Sequence, residues 1–292
     1  MDVRDLEIFL SVAKHLNFTR AGKELHLSQP SVSVRIRQLE DELGVELFEQ
    51  LGKKVVLTEA GRLLEPYARR VVLALDDARR VIEDVQGLER GSLRIGASTT
   101  PGMYLVPKLI ARFKRRYPKI EVHLEIKDTR QVEEGLVRNE YDFGFVGGHL
   151  VSSEMEIFPW HNDEIVLVVP PEHTLARKRY VRVTDLIRHP FIFRERGSAT
   201  LAAVKEKLSG LNLQLESVME MDNPEAVKNA VQGGMGIAFI SKFAVETELK
   251  AKTLSAVKVA GLTVIRELKI VYRKDKHLSH AARAIIEMAC SG

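Results

Sequence analysis

Apolar residues recur at helical spacing near the start of the chain, where Leu6, Phe9, Leu10 and Ala13 share one face of a helix over 5–16. Thr19 stands as the N-cap of a short helix ending at Leu25. Ser28 caps a third helix over 29–43, with Pro30 in the first turn, where no intrahelical N–H is lost. Gly44 follows as the helix stop. In that third helix Val32, Ile36 and Leu39 turn inward at spacings of four and three. After Leu47 and Phe48, residues 51–57 predict a hairpin with a Gly-Lys-Lys tip. From Thr58 to about residue 86 the apolar positions Leu64, Tyr67, Val71, Ala74, Ala78, Val81 and Val85 step alternately by three and four. That is a heptad seam, and it predicts a long helix that pairs with a second copy, the alternative being a helix packed on its own domain. Pro66 inside it predicts either a kink or the point where a wing-side turn meets the helix proper.

The rhythm changes at 87–91, where two glycines flank a short charged stretch. Strand-like runs at 93–97, 120–126, 141–146, 165–169, 191–193, 213–219 and 236–240 then mostly alternate with helical stretches at 101–116, 131–138, 201–208 and 225–232. Such alternation predicts an α/β domain with a parallel or mixed sheet. The fold class is therefore α+β and multi-domain: an N-terminal winged helix-turn-helix, a long linker helix and an α/β domain. The Gly233-Gly234-Met235-Gly236 run lacks the spacing of a dinucleotide fingerprint and reads as a helix stop and turn.

A helix that fits the major groove presents its first turns to base edges. On the helix after Ser28, Gln29 can pair with adenine in a bidentate way, Ser31 and Ser33 can donate or accept, and Arg35 can reach guanine or a phosphate. Pro30 and Val34 lie on the same surface. Thr19, Arg20, Lys53 and Lys54 suit phosphates, which position a protein without reading sequence.

Composition changes this picture less than it first suggests. The net charge of +4 and a pI near 9.0 invite a nucleic-acid reading, yet residues 1–91 hold 14 Lys and Arg against 16 Asp and Glu. The remaining chain holds 30 against 24 and carries the excess, which favours an anionic small-molecule partner there. No apolar run approaches the ~20 residues of a membrane span, and the start lacks the pattern of a signal peptide, so a cytoplasmic address is expected. The single cysteine, Cys290, excludes a disulfide framework and a Cys/His metal cluster, and is expected in a loose tail. HExxH, Walker and nucleophile-elbow motifs are absent, so no catalytic residue, metal or cofactor is expected.

The runs Leu6 to Ala13, Asn17-Phe18-Thr19-Arg20-Ala21, Leu27 to Glu40, Leu43-Gly44 with Leu47-Phe48, and Leu57-Thr58-Glu59-Ala60-Gly61 together resemble the N-terminal signature of LysR-type transcriptional regulators. Order and spacing fit over residues 1–62. Gly22 stands where the family usually has alanine, a change in helix propensity with no contact expected; Ser31, Val34 and Gln50 also depart from common residues.

The resemblance implies domains at 1–58 (winged helix-turn-helix), 59–90 (linker helix and hinge) and 91–292 (effector domain). The last would resemble the two-lobed type II periplasmic binding protein fold, with lobe I at 92–162 and 267–292 and lobe II at 163–266. Crossovers are expected near 161–164 and 264–267. Implied partners are operator DNA, a second copy through the linker helix, a tetramer of such chains, RNA polymerase and a small anionic effector. The stretches from Ser98 to Pro107 and from Phe193 to Ser198 resemble the subgroup linked to cysteine biosynthesis and sulfite response, with carbon-fixation regulators as a second resemblance.

Three predicted helix starts suit a small anion, because each exposes unpaired N–H groups. They carry Ser98, Thr99 and Thr100; Ser198 and Thr200 after Gly197; and Asn223. Thr129, Gly147, His149 and Arg194 (or Arg196) complete the candidate effector site.

Overall fold

The computed structural model describes residues 1–52, 54–84, 91–211, 213 and 215–291. The chain divides into two units, Met1–Val85 and Gln86–Gly292.

The first unit opens with α1 (Val3–His15), α2 (Phe18–Leu25) and α3 (Gln29–Leu43). Asn17, rather than Thr19, caps α2: its side chain accepts from the Arg20 N–H, and Thr19 is the second residue of the helix. Ser28 caps α3 through the Ser31 N–H, and Gly44 closes it in the left-handed region. Phe9, Val12, Ala21, Val32, Ile36, Leu39 and Leu47 form the core between these helices.

Gly22 is required there. A Cβ at this position would lie 2.7 Å from the Leu27 carbonyl oxygen, so the turn joining α2 to α3 could not come as close as it does. The expectation that Gly22 touches nothing is thus corrected.

The wing is an antiparallel pair, β1 (Phe48–Leu51) and β2 (Lys54–Leu57). The long helix α4 (Glu59–Asp84) runs through Pro66 in one piece. Leu64 packs with Ala60 and Val72 on the unit's own core, so it leaves the seam. Leu63, Tyr67 and Val71 lie exposed along the helix instead, Tyr67 at 61%. The seam position Val85 and the hinge residues 87–90 lie outside the described residues.

The second unit begins with β3 (Gly91–Ser98), α5 (Thr99–Tyr104), α6 (Val106–Arg116), β4 (Ile120–Lys127), α7 (Thr129–Val137), β5 (Phe143–Gly147) and the long β6 (Met155–Val169). β7 (Val181–Arg182), β8 (Phe191–Arg194), α8 (Ala199–Ser209), β9 (Ser217–Met221), α9 (Pro224–Gln232), β10 (Ala238–Ser241) and α10 (Lys242–Ala251) follow. The chain ends through β11 (Ser255–Val257), β12 (Val259–Ala260), β13 (Val264–Arg273) and α11 (His280–Cys290). Cys290 therefore closes an ordered helix instead of sitting in a loose tail.

The main sheet is mixed, in the order β10-β6-β13-β5-β3-β4, with β11 also on β6. β4 and β5 flank β3 in parallel; β6 and β13 are antiparallel over their length. β8 pairs with β9, and β7 with β12, in two small parallel sheets.

Two lobes form on this frame. Leu93, Ile95, Phe113, Phe143, Phe145 and Ile285 fill one core; Ile165, Leu167, Phe191, Phe193, Leu201 and Phe239 fill the other. β6 and β13 run through both. Asp163 faces Arg266 and Asn162 faces Glu267 in their ladder, so the two crossings are neighbouring strands. No described helix is long and apolar enough to cross a membrane.

Candidate functional site

In the first unit, α3 and the wing bound an open groove of about 380 Å³. Gln29, Ser33 and Arg37 line it from the helix, and Gln50 and Val55 from the wing. The Gln29 amide donates to Ser33 Oγ at 2.9 Å, which fixes the orientation of both side chains along one turn. Val34 is 54% exposed on the outer surface of the helix, beside exposed Pro30 and Ser31. Ser31 Oγ lies 2.7 Å from Ser28 Oγ, within the cap itself. Thr19, Arg20 and Lys54 are exposed, while Lys53 lies outside the described residues.

Arg35, expected to face DNA, is also engaged within its own unit. Its guanidinium donates to Asp5 at 2.8 Å and lies 3.5 Å from Asp2, clamping α3 to the first turn of α1. Arg37 was missed, although its spacing of four from Ser33 and eight from Gln29 puts all three on one helical face.

In the second unit, the start of α5 meets the start of α8 across a narrow cleft, as the helix-start pattern implied. Ser98, Thr99, Thr100, Asp128 and Thr129 line one wall. Arg194, Glu195 and the turn from Gly197 to Thr200 line the other, and Arg266 of β13 forms the floor. The void between them is about 20 Å³, the room of a water or two.

Hydrogen bonds hold the walls in place. Ser98 Oγ accepts from the Gly147 N–H at 3.1 Å, and Thr129 Oγ1 donates to the Gly147 carbonyl at 2.7 Å, so Gly147 is an anchor for both hydroxyls. Arg266 donates through Nη2 to Thr100 Oγ1 at 2.8 Å and through Nε to Asp163 Oδ2 at 2.9 Å. Ser241 donates to the other Asp163 oxygen at 2.6 Å. Burial pushes the Arg266 guanidinium below its usual pKa; Asp163 opposes this, and nearby Arg194 adds repulsion. Arg194 is held by both oxygens of Glu195, at 2.8 and 2.9 Å, and by the Asp222 carbonyl at 3.0 Å.

His149, Arg196 and Asn223 do not belong to this lining. All three are exposed, and Asn223 Oδ1 is spent on capping α9 through the Glu225 and Ala226 N–H groups. Asp128, Asp163 and Arg266 were missed in the sequence. Among the described residues, no group of three His, Cys, Asp or Glu gathers as a metal site would require.

The model of the bacterial regulatory helix-turn-helix protein, lysR family, matches residues 3–62, and that of the LysR substrate binding domain matches 86–290. The chain belongs to the LysR family of transcription regulators. As a LysR-type protein it is a DNA-binding regulator with an effector-binding domain, not an enzyme.

Its relatives agree along the whole length. It is 38% identical over 291 residues to the RuBisCO operon transcriptional regulator of Allochromatium vinosum, covering 100% of this chain and 96% of that one. The regulatory domain of Synechocystis PCC6803 CcmR, solved in complex with 2-PG, is 27% identical with a TM-score of 0.65, covering 69% of this chain and 97% of that one. Full-length OxyR from Pseudomonas aeruginosa shares the fold, with a TM-score of 0.76 at 23% identity, covering 100% of this chain and 94% of that one.

Proposed function

We propose that this LysR-type regulator senses a small anion in the cleft between its two lobes and reads its operator with the groove-lining face of α3. One observation carries the sensing part: two buried guanidiniums, Arg194 and Arg266, face a void walled by Ser98, Thr100, Thr129, Ser198 and Thr200. Both guanidiniums line the same small void, so an anion between them can accept hydrogen bonds from each. The binding of 2-PG by the CcmR regulatory domain supports the same reading.

On the DNA side, Gln29, Ser33 and Arg37 reach base edges from the groove, while Arg20 and Lys54 take phosphates. The exposed stripe of Leu63, Tyr67 and Val71 on α4 pairs with the same stripe of a second copy, and two such dimers form the tetramer that engages RNA polymerase.

A thermal-shift screen of the full chain tests the sensing function. An effector at about 100 times its Kd adds about 2.7 kcal/mol to the stability of the domain that binds it. The reading fails if sulfite, sulfate, phosphate, simple carboxylates and 2-PG all leave the melting unchanged.

A further inference from the structure

The cleft that holds Arg194 and Arg266 is not a cationic site. Its lining carries four ionisable groups, Asp128, Arg194, Glu195 and Arg266, whose formal charges cancel. Behind them Asp163, fully buried, pairs with Arg266 and brings the sum to −1. Each guanidinium is thus already neutralised by a carboxylate of its own chain. A fully ionised dianion entering this space would have to overcome that balance.

Hydrogen-bonding capacity shows what the space still offers. Thr200 is 4% exposed, lines the cavity and makes no side-chain hydrogen bond among the described residues. Ser98 and Thr100 each accept one bond, from Gly147 and Arg266, and keep a hydroxyl proton uncommitted. Those three donors suit an ionised oxygen.

Asp128 supplies the opposite demand. Its Oδ1 caps α7 by accepting from the Gln131 N–H at 2.7 Å, while its Oδ2 makes no hydrogen bond among the described residues. That free oxygen looks across the cleft, 4.0 Å from where a Cβ on Gly197 would stand. A carboxylate oxygen accepts only, so it repels a second ionised oxygen and welcomes a hydroxyl.

We infer that the effector is a compact oxyanion that keeps an O–H of its own, its ionised oxygens meeting Ser98, Thr100, Thr200 and the guanidiniums and its hydroxyl donating to Asp128. Asp128 is then the residue that sets specificity, by requiring a proton on the ligand. Two chemistries share this description, a protonated phosphate and a hydroxycarboxylate. The inference rests on the proposed anion-sensing role of the cleft.

The test is isothermal titration of the full chain with two matched pairs, inorganic phosphate against sulfate and glycolate against acetate. In each pair only the first member carries a hydroxyl proton. The hydroxyl-bearing member is expected to bind at least about tenfold more tightly, because its rival leaves Asp128 facing an ionised or missing partner. A preference in one pair alone also supports the inference and assigns the ligand's chemistry. Asp128→Asn keeps an N-cap acceptor for α7 and is expected to abolish or reverse the preference. Equal binding within both pairs by the native chain, or a preference that survives in Asp128→Asn, overturns the role of Asp128 and leaves the anion site standing. Absence of binding by all four probes overturns this inference; if the wider anion screen is also silent, the anion reading falls with it.

Discussion

Tyr104 donates its phenolic proton to Glu225 Oε1 at 2.6 Å, and this bond ties the helix carrying Thr99 and Thr100 to α9 of the opposite lobe. Lys228 sits below both. Its ammonium bonds Glu225 at 2.9 Å, Glu248 at 2.7 Å and the Ala244 carbonyl at 2.9 Å, and lies 5.6 Å from the Tyr104 ring centre. Burial, then Glu225, push the Tyr104 hydroxyl well above its usual pKa, so it stays a donor at any physiological pH. Tyr104→Phe is expected to cost about 1–2 kcal/mol in effector-domain stability and to speed amide exchange in α5 and α9 together. Unchanged exchange in both helices would show that the bond does not hold the lobes.

The Asp163–Arg266 pair should behave as a buried unit. Arg266→Met leaves a buried carboxylate with, among the described residues, only Ser241 as partner and is expected to cost about 3–5 kcal/mol in urea denaturation. Adding Asp163→Asn should recover most of that loss. Simple addition of the two single effects would contradict the coupling.

Acid should weaken the first unit through Glu24. Bonds from Lys14 and Ser11 lower its pKa from 4.5 to about 2. A carboxyl lowered in the folded state stabilises above its unfolded pKa, and that contribution disappears as pH falls from 4.5 toward 2. Glu24→Gln should flatten this part of the stability-pH curve while lowering stability at neutral pH, as read by circular dichroism.

Gly22→Ala sets two effects against each other. Helix propensity favours alanine by about 1 kcal/mol, whereas the new Cβ meets the Leu27 carbonyl oxygen at 2.7 Å. The clash is expected to win, with a net loss of about 1–3 kcal/mol in the melting of the DNA-binding unit. A stabilised variant would mean that the turn relaxes freely.

Gln29→Ala should reduce discrimination between operator and random DNA by about 1–3 kcal/mol, and Lys54→Ala should weaken both alike. Fluorescence anisotropy at fixed salt separates these outcomes. Arg35→Ala, by contrast, should lower stability by loosening α3 from α1 more than it changes sequence preference.

The helix-turn-helix was legible because its punctuation is local. Ser28, Pro30 and Gly44 mark α3 within its own sequence, and the inward spacing of Val32, Ile36 and Leu39 needs no partner to be seen. The N-cap of α2 was misplaced by two residues because Asn17 and Thr19 are both good caps, and only the fold chooses. The ion pair of Arg35 was not legible, because its partner Asp5 lies 30 residues away. Arg266 was less legible still. It is a charge on the inward phase of β13, and the residue that justifies it, Asp163, lies 103 positions earlier. The strand itself shows in the sequence only as a short crossing at 264–267, since alternating Val264, Arg266 and Leu268 mixes charge into the buried face. Ser98, Thr100 and Ser198, which line the cleft, stand at strand-to-helix junctions that show in the pattern; His149 and Asn223 share that signal yet fall outside the cleft.

The paired crossing strands restrict what any ligand can do to this domain. β6 and β13 are stitched residue to residue from Ile165 and Val264 to Met155 and Arg273, with a single irregularity beside Trp160. Trp160 is fastened to the first lobe by donating to the Ala289 carbonyl at 3.1 Å. A stitched ribbon cannot let one lobe slide along the other without breaking its ladder, but it can bend and twist. Whatever occupies the cleft must therefore express its binding as an angle, about an axis close to Asp163 and Arg266.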